Sequence, residues 1–504
     1  MRQEICAEAQ DPFQTVRETP TSSNRRLAKR IVALAVASFA VWFIATIWSV
    51  VRAPVVLQSS PLVINDVSQL NPIRVDQVIT PTTTTEIADA VRRHTGPISI
   101  GGARHSMGGQ IATDGALFID MRRFARIVNF SPADKTITVQ AGTRWRQILE
   151  HIDSANLAVK IMQSYANFTV GGSLSVNAHG RYIGLGPIIL SVKSIKVVLA
   201  DGTIVDASPA HNADIFNGVI GGYGGLGVIV EATLELTDNV KVKRHAQMVP
   251  VAEYKRYFFD HIRGDSQAVF HNGDLYPPDY TMVQAITYST TSDPLTVPDR
   301  LIATGQSYRR ERFGFWVVSE WPFGKSLRRR LFDPAYFNDE SVIWRNFEAS
   351  RDTDELEPAS RETSTYVLEE YFVPVDRFDD FLPKMRAILR RHDVNVINVS
   401  IRHARQDPGS LLAWARTEVF AFVIYYKQET SESARSQVGV WTRELIDAAL
   451  DVGGSYYLPY QLHATEEQFL RAYPRASEFL ALKQRLDPTN KFRSKLLDKY
   501  LHPK

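Results

Sequence analysis

Few residue patterns in this chain are able to carry chemistry. Its one cysteine, Cys6, excludes a disulfide framework, a cysteine-ligated zinc site and an iron–sulfur cluster. Histidine, tyrosine, arginine, carboxylates or a bound cofactor must therefore do the work. The densest candidate is Gly101-Gly102-Ala103-Arg104-His105-Ser106-Met107-Gly108-Gly109, with four glycines in nine residues around one histidine. Glycine lacks Cβ and accepts positive φ, so backbone N–H groups there can approach a diphosphate closely. Taken alone, the loop reads equally well as a tight surface turn. A second stretch runs Thr169-Val170-Gly171-Gly172 to Asn177-Ala178-His179-Gly180. A third, Gly222-Tyr223-Gly224-Gly225-Leu226-Gly227, matches GxGxxG. The dinucleotide fingerprint needs a helix after that motif. Here β-branched, partly alternating residues follow (228–236), which read as a strand, so the Rossmann reading is rejected. GxxxxGK[ST] is absent, which removes a P-loop.

The elements that must position these residues follow from local pattern. Ile98-Ser99-Ile100 and residues 116–121 read as strands flanking the first glycine loop. Thr136–Val139 reads as a strand and Trp145–Leu157 as a helix with Trp145, Ile148, Leu149 and Ile152 on one face. Val192–Asp206 reads as a hairpin closed by the two-residue turn Asp201-Gly202. Beyond residue 240 come a strand at 366–373, a helix at 376–391, strands at 394–402 and 418–427, and a helix at 433–451. Such a β-α-β-β-α run implies an antiparallel sheet backed by helices. Strand alternation puts Asn398, Ser400 and Arg402 on one face.

Hydrophobic content of 44% and charged content of 22% describe a folded chain. Its 504 residues allow two to four domains. A net charge of +3 argues against a general nucleic-acid binder. Ile31–Val51 is an uncharged run of 21 residues, which at ~1.5 Å per residue spans ~30 Å of hydrocarbon. Arg25, Arg26, Lys29 and Arg30 precede it and only Arg52 follows. The positive-inside rule then gives a cytoplasmic tail (1–30), a single-pass anchor (31–51) and an extracytoplasmic remainder. A cleaved signal peptide is the alternative, and Arg25-Arg26 is weakly like a twin-arginine export signal. Residues 309–330 hold seven basic and two acidic residues among Phe313, Phe315, Trp316, Trp321 and Phe323. They read as a solvated loop over the active site, with a lid on an anionic membrane face as the alternative.

In order and spacing, residues 98–121, the Thr169–Gly180 stretch, the Asp201-Gly202 hairpin and GGYGGLGVIVEATLEL resemble the PCMH-type FAD-binding module of the vanillyl-alcohol-oxidase superfamily. The resemblance covers about residues 60–240. It implies an α+β fold: a two-subdomain FAD-binding module, an antiparallel-sheet substrate domain (241–455) and a C-terminal segment (456–504) returning to the flavin. The C-terminal stretch is most similar to the aldonolactone and alditol oxidases and to decaprenylphosphoryl-ribose oxidase. Two departures separate it from both. The lactone-oxidase H-W-x-K is replaced by Leu458-Pro459-Tyr460-Gln461-Leu462-His463, and Tyr460 stands where the ribose-oxidase branch has its active-site lysine.

By that resemblance, His105 carries a covalent bond to the flavin, or touches it without one; Arg104 replaces the family's usual glycine. Gly101, Gly102, Ala103, Arg104, Ser106 and Met107 line the pyrophosphate and isoalloxazine. Ser164, Thr169, Gly171, Gly172, Asn177 and His179 form the second wall, Ile229 lies near the adenine and Tyr457 packs on the flavin. The implied reaction passes hydride from a CH–OH group to flavin N5 while a neighbouring group takes the hydroxyl proton. Arg402, Tyr460, Gln461 and His463 are the catalytic candidates; Arg181, Glu370, Ser400 and Arg402 are those for binding substrate. Expected partners are a small-molecule or lipid-linked sugar, polyol or lactone, the membrane, and oxygen or a quinone as electron acceptor. The alternative from another class is a non-catalytic flavin-bearing membrane protein.

Overall fold

The computed structural model describes residues 22–50, 60–358 and 360–502, with side chains of the first segment described only in part. The chain divides into two units, 1–52 and 53–504. In the first, Ser22–Val50 is one helix, carrying exposed Ile31, Leu34, Val41, Trp42, Ile44 and Trp48. Among the described residues no helix is long and apolar enough to cross a membrane. The transmembrane helix read from residues 31–51 is therefore not among the elements shown. Val32, Ala35, Phe39, Val50 and Val51 belong to that run and lie outside the described side chains, and residues 1–21 lie outside altogether.

The second unit opens with a ribbon of β1 (Val63–Ile64) and β2 (Ile73–Arg74). Strands β3 (Gln77–Ile79), β4 (Ile98–Gly101) and β5 (Leu117–Asp120) form a small parallel sheet in the order β3-β5-β4. The two strands flanking the first glycine loop are thus parallel. Residues 102–116 form a crossover rather than the turn the sequence suggests.

A second, antiparallel sheet orders β10 (Ile204–Ala207), β9 (Val192–Val198), β11 (Val228–Asp238), β7 (Thr136–Gln140) and β6 (Ile127–Ser131), with β8 (Leu157–Val159) on β11. The strand after GxGxxG is present, as the Val/Ile-rich sequence requires. The helix over Trp145 ends at Ile152, and all four of its apolar-face residues are buried; Leu157 belongs to β8 instead. The β9–β10 hairpin pairs Val198 with Ile204, so its loop runs from Leu199 to Thr203. Gly202 sits there at φ +83°, a conformation that suits glycine.

An eight-stranded sheet follows, in the order β15-β12-β14-β13-β17-β18-β16-β19. Its strands are β12 (Lys241–Pro250), β13 (Ala268–Leu275), β14 (Met282–Thr290), β15 (Val342–Trp344), β16 (Ser364–Pro374), β17 (Val396–Ala404), β18 (Val419–Glu429) and β19 (Ser455–Tyr456). All pairings are antiparallel. Helices Phe378–Arg391 and Glu432–Leu450 back it through buried faces that include Phe381, Leu382, Met385, Trp441 and Leu445. The C-terminal residues return to the first half: Met107 N–H donates to Pro459 O at 2.8 Å and Ile98 N–H to Lys491 O. Residues 309–330, read as a loop, instead lie in a set of short helices that continues to Phe337.

Candidate active site

A cavity of about 1080 Å³ lies where the glycine loops, the inner face of the eight-stranded sheet and the returning C-terminal segment meet. It reaches the upper end of the ~300–1,000 Å³ usual for ligand sites, which leaves room for a large cofactor with a substrate beside it.

Residues 102–107 build the first wall. The strand β4 ends beneath them, and Gly101 packs on Phe118 rather than lining the cavity; a Cβ there would meet that ring at 2.3 Å. At Gly102 a Cβ would stand 2.2 Å from Thr169 Oγ1, so glycine is what lets the two walls approach. Arg104 adopts φ +63°. That left-handed backbone costs a non-glycine residue ~1–2 kcal/mol. The guanidinium meets Asp120 at 3.0 Å and lies 5.0 Å from the Phe118 ring centroid, contacts that offset the cost. His105 lines the cavity beside Phe168, ring centroids 4.5 Å apart. Burial, aided by Arg144, pushes its pKa down to about 4. The imidazole is therefore neutral near pH 7, with a nitrogen lone pair free to bond.

Ser164, Thr169, Gly171, Gly172 and His179 line the second wall, and Ile229 and Tyr457 the regions flanking it. The Ser164 hydroxyl is buried without a protein partner. Asn177 does not reach the cavity. Its amide donates to Asp407 at 2.6 Å and Ser410 at 3.1 Å, and its carbonyl accepts from Ile189 N–H, so it braces the loop from behind.

The sheet supplies the polar floor. His179 Nε2 lies 2.6 Å from Glu370 Oε1, and the Tyr460 hydroxyl donates to Glu370 Oε2 at 3.2 Å. His179 Nδ1 faces Gly180 O at 3.3 Å. The ring is thus held between a backbone carbonyl and a carboxylate, both able to accept a hydrogen bond from it. Oε2, on the other side of the carboxylate, accepts from Tyr460. Burial and the neighbouring Glu370 push the Tyr460 phenol well above its ordinary value, so it stays protonated. Asn398, Ser400 and Arg402 all line the cavity from alternate positions of β17. Arg402 Nε is buried without a partner. Arg181 also lines it, bonded to Glu348 at 2.6 Å and Asn272 at 3.1 Å. Against the opposing effect of burial, Arg351 and Arg181 hold Glu348 down at about 2.

Two catalytic candidates do not line the cavity. The Gln461 amide donates to Met107 O, clamping the C-terminal segment onto the glycine loop. His463 lies near Gly439, and burial lowers its pKa to about 4. Both are near the site in sequence, but their side chains are spent on the backbone or turned into the fold. Sequence reasoning missed Tyr165, Asp274, Arg328 and Arg351, which also line the cavity. None stands in a motif, and only Asp274, two residues from Asn272 on one strand face, carried a spacing signal.

The group these residues fit is a flavin dinucleotide. The glycine contacts allow backbone amides to face a diphosphate, and Ser164 and Arg402 Nε offer unpaired polar atoms to it or its substrate. Fold and cavity together define a flavin-dependent oxidoreductase. Residues 75–208 match the FAD binding domain family, and residues 359–500 match the D-arabinono-1,4-lactone oxidase family. The chain is similar to L-gulonolactone oxidase of Mus musculus, 21% identical over 427 residues, 83% of this chain and 92% of that protein. It is also similar to an alditol oxidase of a Streptomyces species, 28% identical over 171 residues, 34% of this chain and 40% of that one. Cytokinin dehydrogenase 2 of Arabidopsis thaliana is 27% identical over 190 residues, 36% of this chain and 38% of that protein. Along these two stretches the chain matches the PCMH-type FAD-dependent oxidoreductases of the aldonolactone and alditol oxidase group. It is an FAD-dependent oxidoreductase.

Proposed function

We propose that this enzyme oxidises a CH–OH group of a sugar, polyol, aldonolactone or lipid-linked sugar, with Glu370 as the proton acceptor. The observation that carries the reading is the placement of Glu370 between His179 and Tyr460 in a cavity that Arg402 also lines. FAD, when bound, supplies the hydride acceptor at N5 and gains negative charge as it is reduced. The chain's own residues do the rest. Tyr460 receives a hydrogen bond from the substrate hydroxyl and passes its own proton to Glu370 Oε2. Arg402 and Ser400 orient the substrate oxygens, and the fixed cation favours negative charge gathering in the cavity. His179 holds the other carboxylate oxygen and keeps Glu370 in place. His105, neutral and at the cavity wall, is the residue we assign to a covalent bond with the flavin. Oxygen or a quinone takes the electrons in turn.

We place the catalytic unit outside the cytoplasm, held by the uncharged run Ile31–Val51; four basic residues ahead of it against one behind support that reading. Anaerobic mixing of the purified full chain with a panel of polyols, aldonolactones and lipid-linked sugars tests the chemistry. Bleaching of the flavin bands by at least one class is expected, and none across the panel would overturn it. Extraction by detergent but not by alkaline carbonate tests the anchor.

A further inference from the structure

Residues 309–337 roof the cavity. Three successive stretches make the roof: Arg309–Glu320, Gly324–Leu327 continuing through Arg328–Phe332, and Asp333–Phe337. Their inner side lines the cavity through Phe313, Phe315, Arg328 and Phe337. Polar contacts hold the roof down. Arg328 pairs with Asp333 at 3.0 Å and donates to Ile397 O at 3.1 Å on β17. Arg244 of β12 donates to Tyr336 O at 2.9 Å and Asp339 O at 3.0 Å.

The outer side is different. Phe323 is 78% exposed, Leu331 59% and Tyr336 56%, and Trp321 and Phe332 are also exposed. Arg309, Arg310 and Arg330 stand exposed among them. Of the nearby acids, Glu320 is paired with Lys427 and Glu340 with Lys243, leaving Glu311 and Asp339 as the exposed counter-charges. Five large apolar side chains within 16 residues form a patch of a kind that monomeric surfaces seldom show without a partner. Helical segments with basic and aromatic side chains interleaved settle at the boundary between lipid headgroups and acyl chains, and anionic lipid strengthens that. Phe332 and Tyr336 belong to both surfaces: they are exposed outside and line the cavity within. Phe332 and Tyr336 thus link the exposed apolar residues to the cavity lining.

We propose that the outer face of this roof docks on an anionic lipid surface, so that the cavity mouth opens onto lipid and an amphiphilic alcohol enters there. Its hydroxyl-bearing head reaches Tyr460 and Arg402, while its tail stays over Phe332 and Tyr336. The entry route rests on the CH–OH reading of the site; the docking does not.

The test uses the full-length, flavin-loaded chain with Cys6→Ser and a single label on Phe323→Cys, carrying a polarity-sensitive fluorophore. A control carries the label on Val440→Cys, an exposed position outside the roof. The anchor proposed above would itself bring the chain to a vesicle, so the depth of the label is read rather than binding. With vesicles of phosphatidylcholine plus phosphatidylglycerol, the label at 323 should shift to the blue and be quenched by brominated acyl chains. With phosphatidylcholine alone the effect should be much weaker, and the label at 440 should not respond. No shift at 323, an equal shift at 440, or a shift without lipid that follows self-association would overturn the docking. Phe323→Ser with Leu331→Ser, neither of which lines the cavity, should leave turnover of a water-soluble alcohol unchanged. Turnover of a vesicle-embedded alcohol should fall about tenfold as interfacial contact is lost; equal turnover of both would overturn the entry route. The label reports without turnover, so failure of the docking is separable from failure of the CH–OH reading.

Discussion

The imidazole of His179 and the carboxylate of Glu370 meet at 2.6 Å, with the residues 5% and 2% exposed. A carboxylate that deep is costly unless its lone pairs are matched. One oxygen is matched by His179 and the other by Tyr460, and Arg402 supplies opposite charge nearby. Three widely separated stretches of chain thus converge on one buried carboxylate in the cavity.

Replacing Glu370 by Gln keeps its size and hydrogen-bonding reach but removes the proton acceptor. The rate of anaerobic flavin bleaching should fall by about 10²–10⁴-fold, the usual contribution of general acid–base catalysis. FAD content should be unchanged. An equal rate in wild type and variant would assign the proton elsewhere.

Arg402→Met removes the cation that β17 presents to the cavity. Loss of one preorganised electrostatic partner costs about 10²–10³ in turnover. Arg402→Lys should recover only part of it, because an ammonium lacks the planar fork. Steady-state kinetics of the three proteins with one alcohol substrate checks the order.

Gly102→Ala would drive a Cβ to 2.2 Å from Thr169 Oγ1. Overpacking of that kind costs typically ~1–3 kcal/mol. Since the clash is between the two cavity walls, retention of FAD should suffer as well as melting temperature. Both are read by a thermal melt followed through flavin fluorescence.

His271 is buried among Tyr254 and Thr287, and burial together with nearby His403 pushes its pKa down to about 3. An unfolded histidine titrates near 6.5, so below that pH the unfolded chain takes up a proton that the folded one refuses. Stability contributed by this group is whole above pH ~6.5 and is lost as pH falls toward 3, at on the order of 1.4 kcal/mol per pH unit. Melting temperatures from pH 7 to 4 should fall steeply in wild type and less steeply in His271→Gln.

Patterns confined to one strand or helix were legible in the sequence. Alternation along residues 394–402 places Asn398, Ser400 and Arg402 on the cavity face, and the strand after Gly227 removes the Rossmann reading. What depended on tertiary partners was not. Adjacency of β4 and β5 in sequence hides their parallel pairing, because the intervening 15 residues pass through the cavity wall. Residues 309–330 read as a loop because charged and apolar residues mix on the inward side: in Arg309–Glu320 Arg312 and Ser319 are buried alongside Val317 and Val318. Aromatics on the outer side blur the helical period. Asn177, Gln461 and His463 share motifs with cavity residues, but a motif does not say which neighbour turns its side chain inward. Glu370 and His179 each drew notice alone; their contact spans 191 positions, a separation that local pattern does not bridge.

The flavin link is tested most directly by the absorbance spectrum of acid-precipitated, washed protein. For the wild type, the pellet should keep the flavin bands. For His105→Ala they should move to the supernatant, with the folded protein still binding added FAD. A well-folded wild-type protein that is colourless and takes up no FAD, or a His105→Ala pellet that stays yellow, would contradict the account.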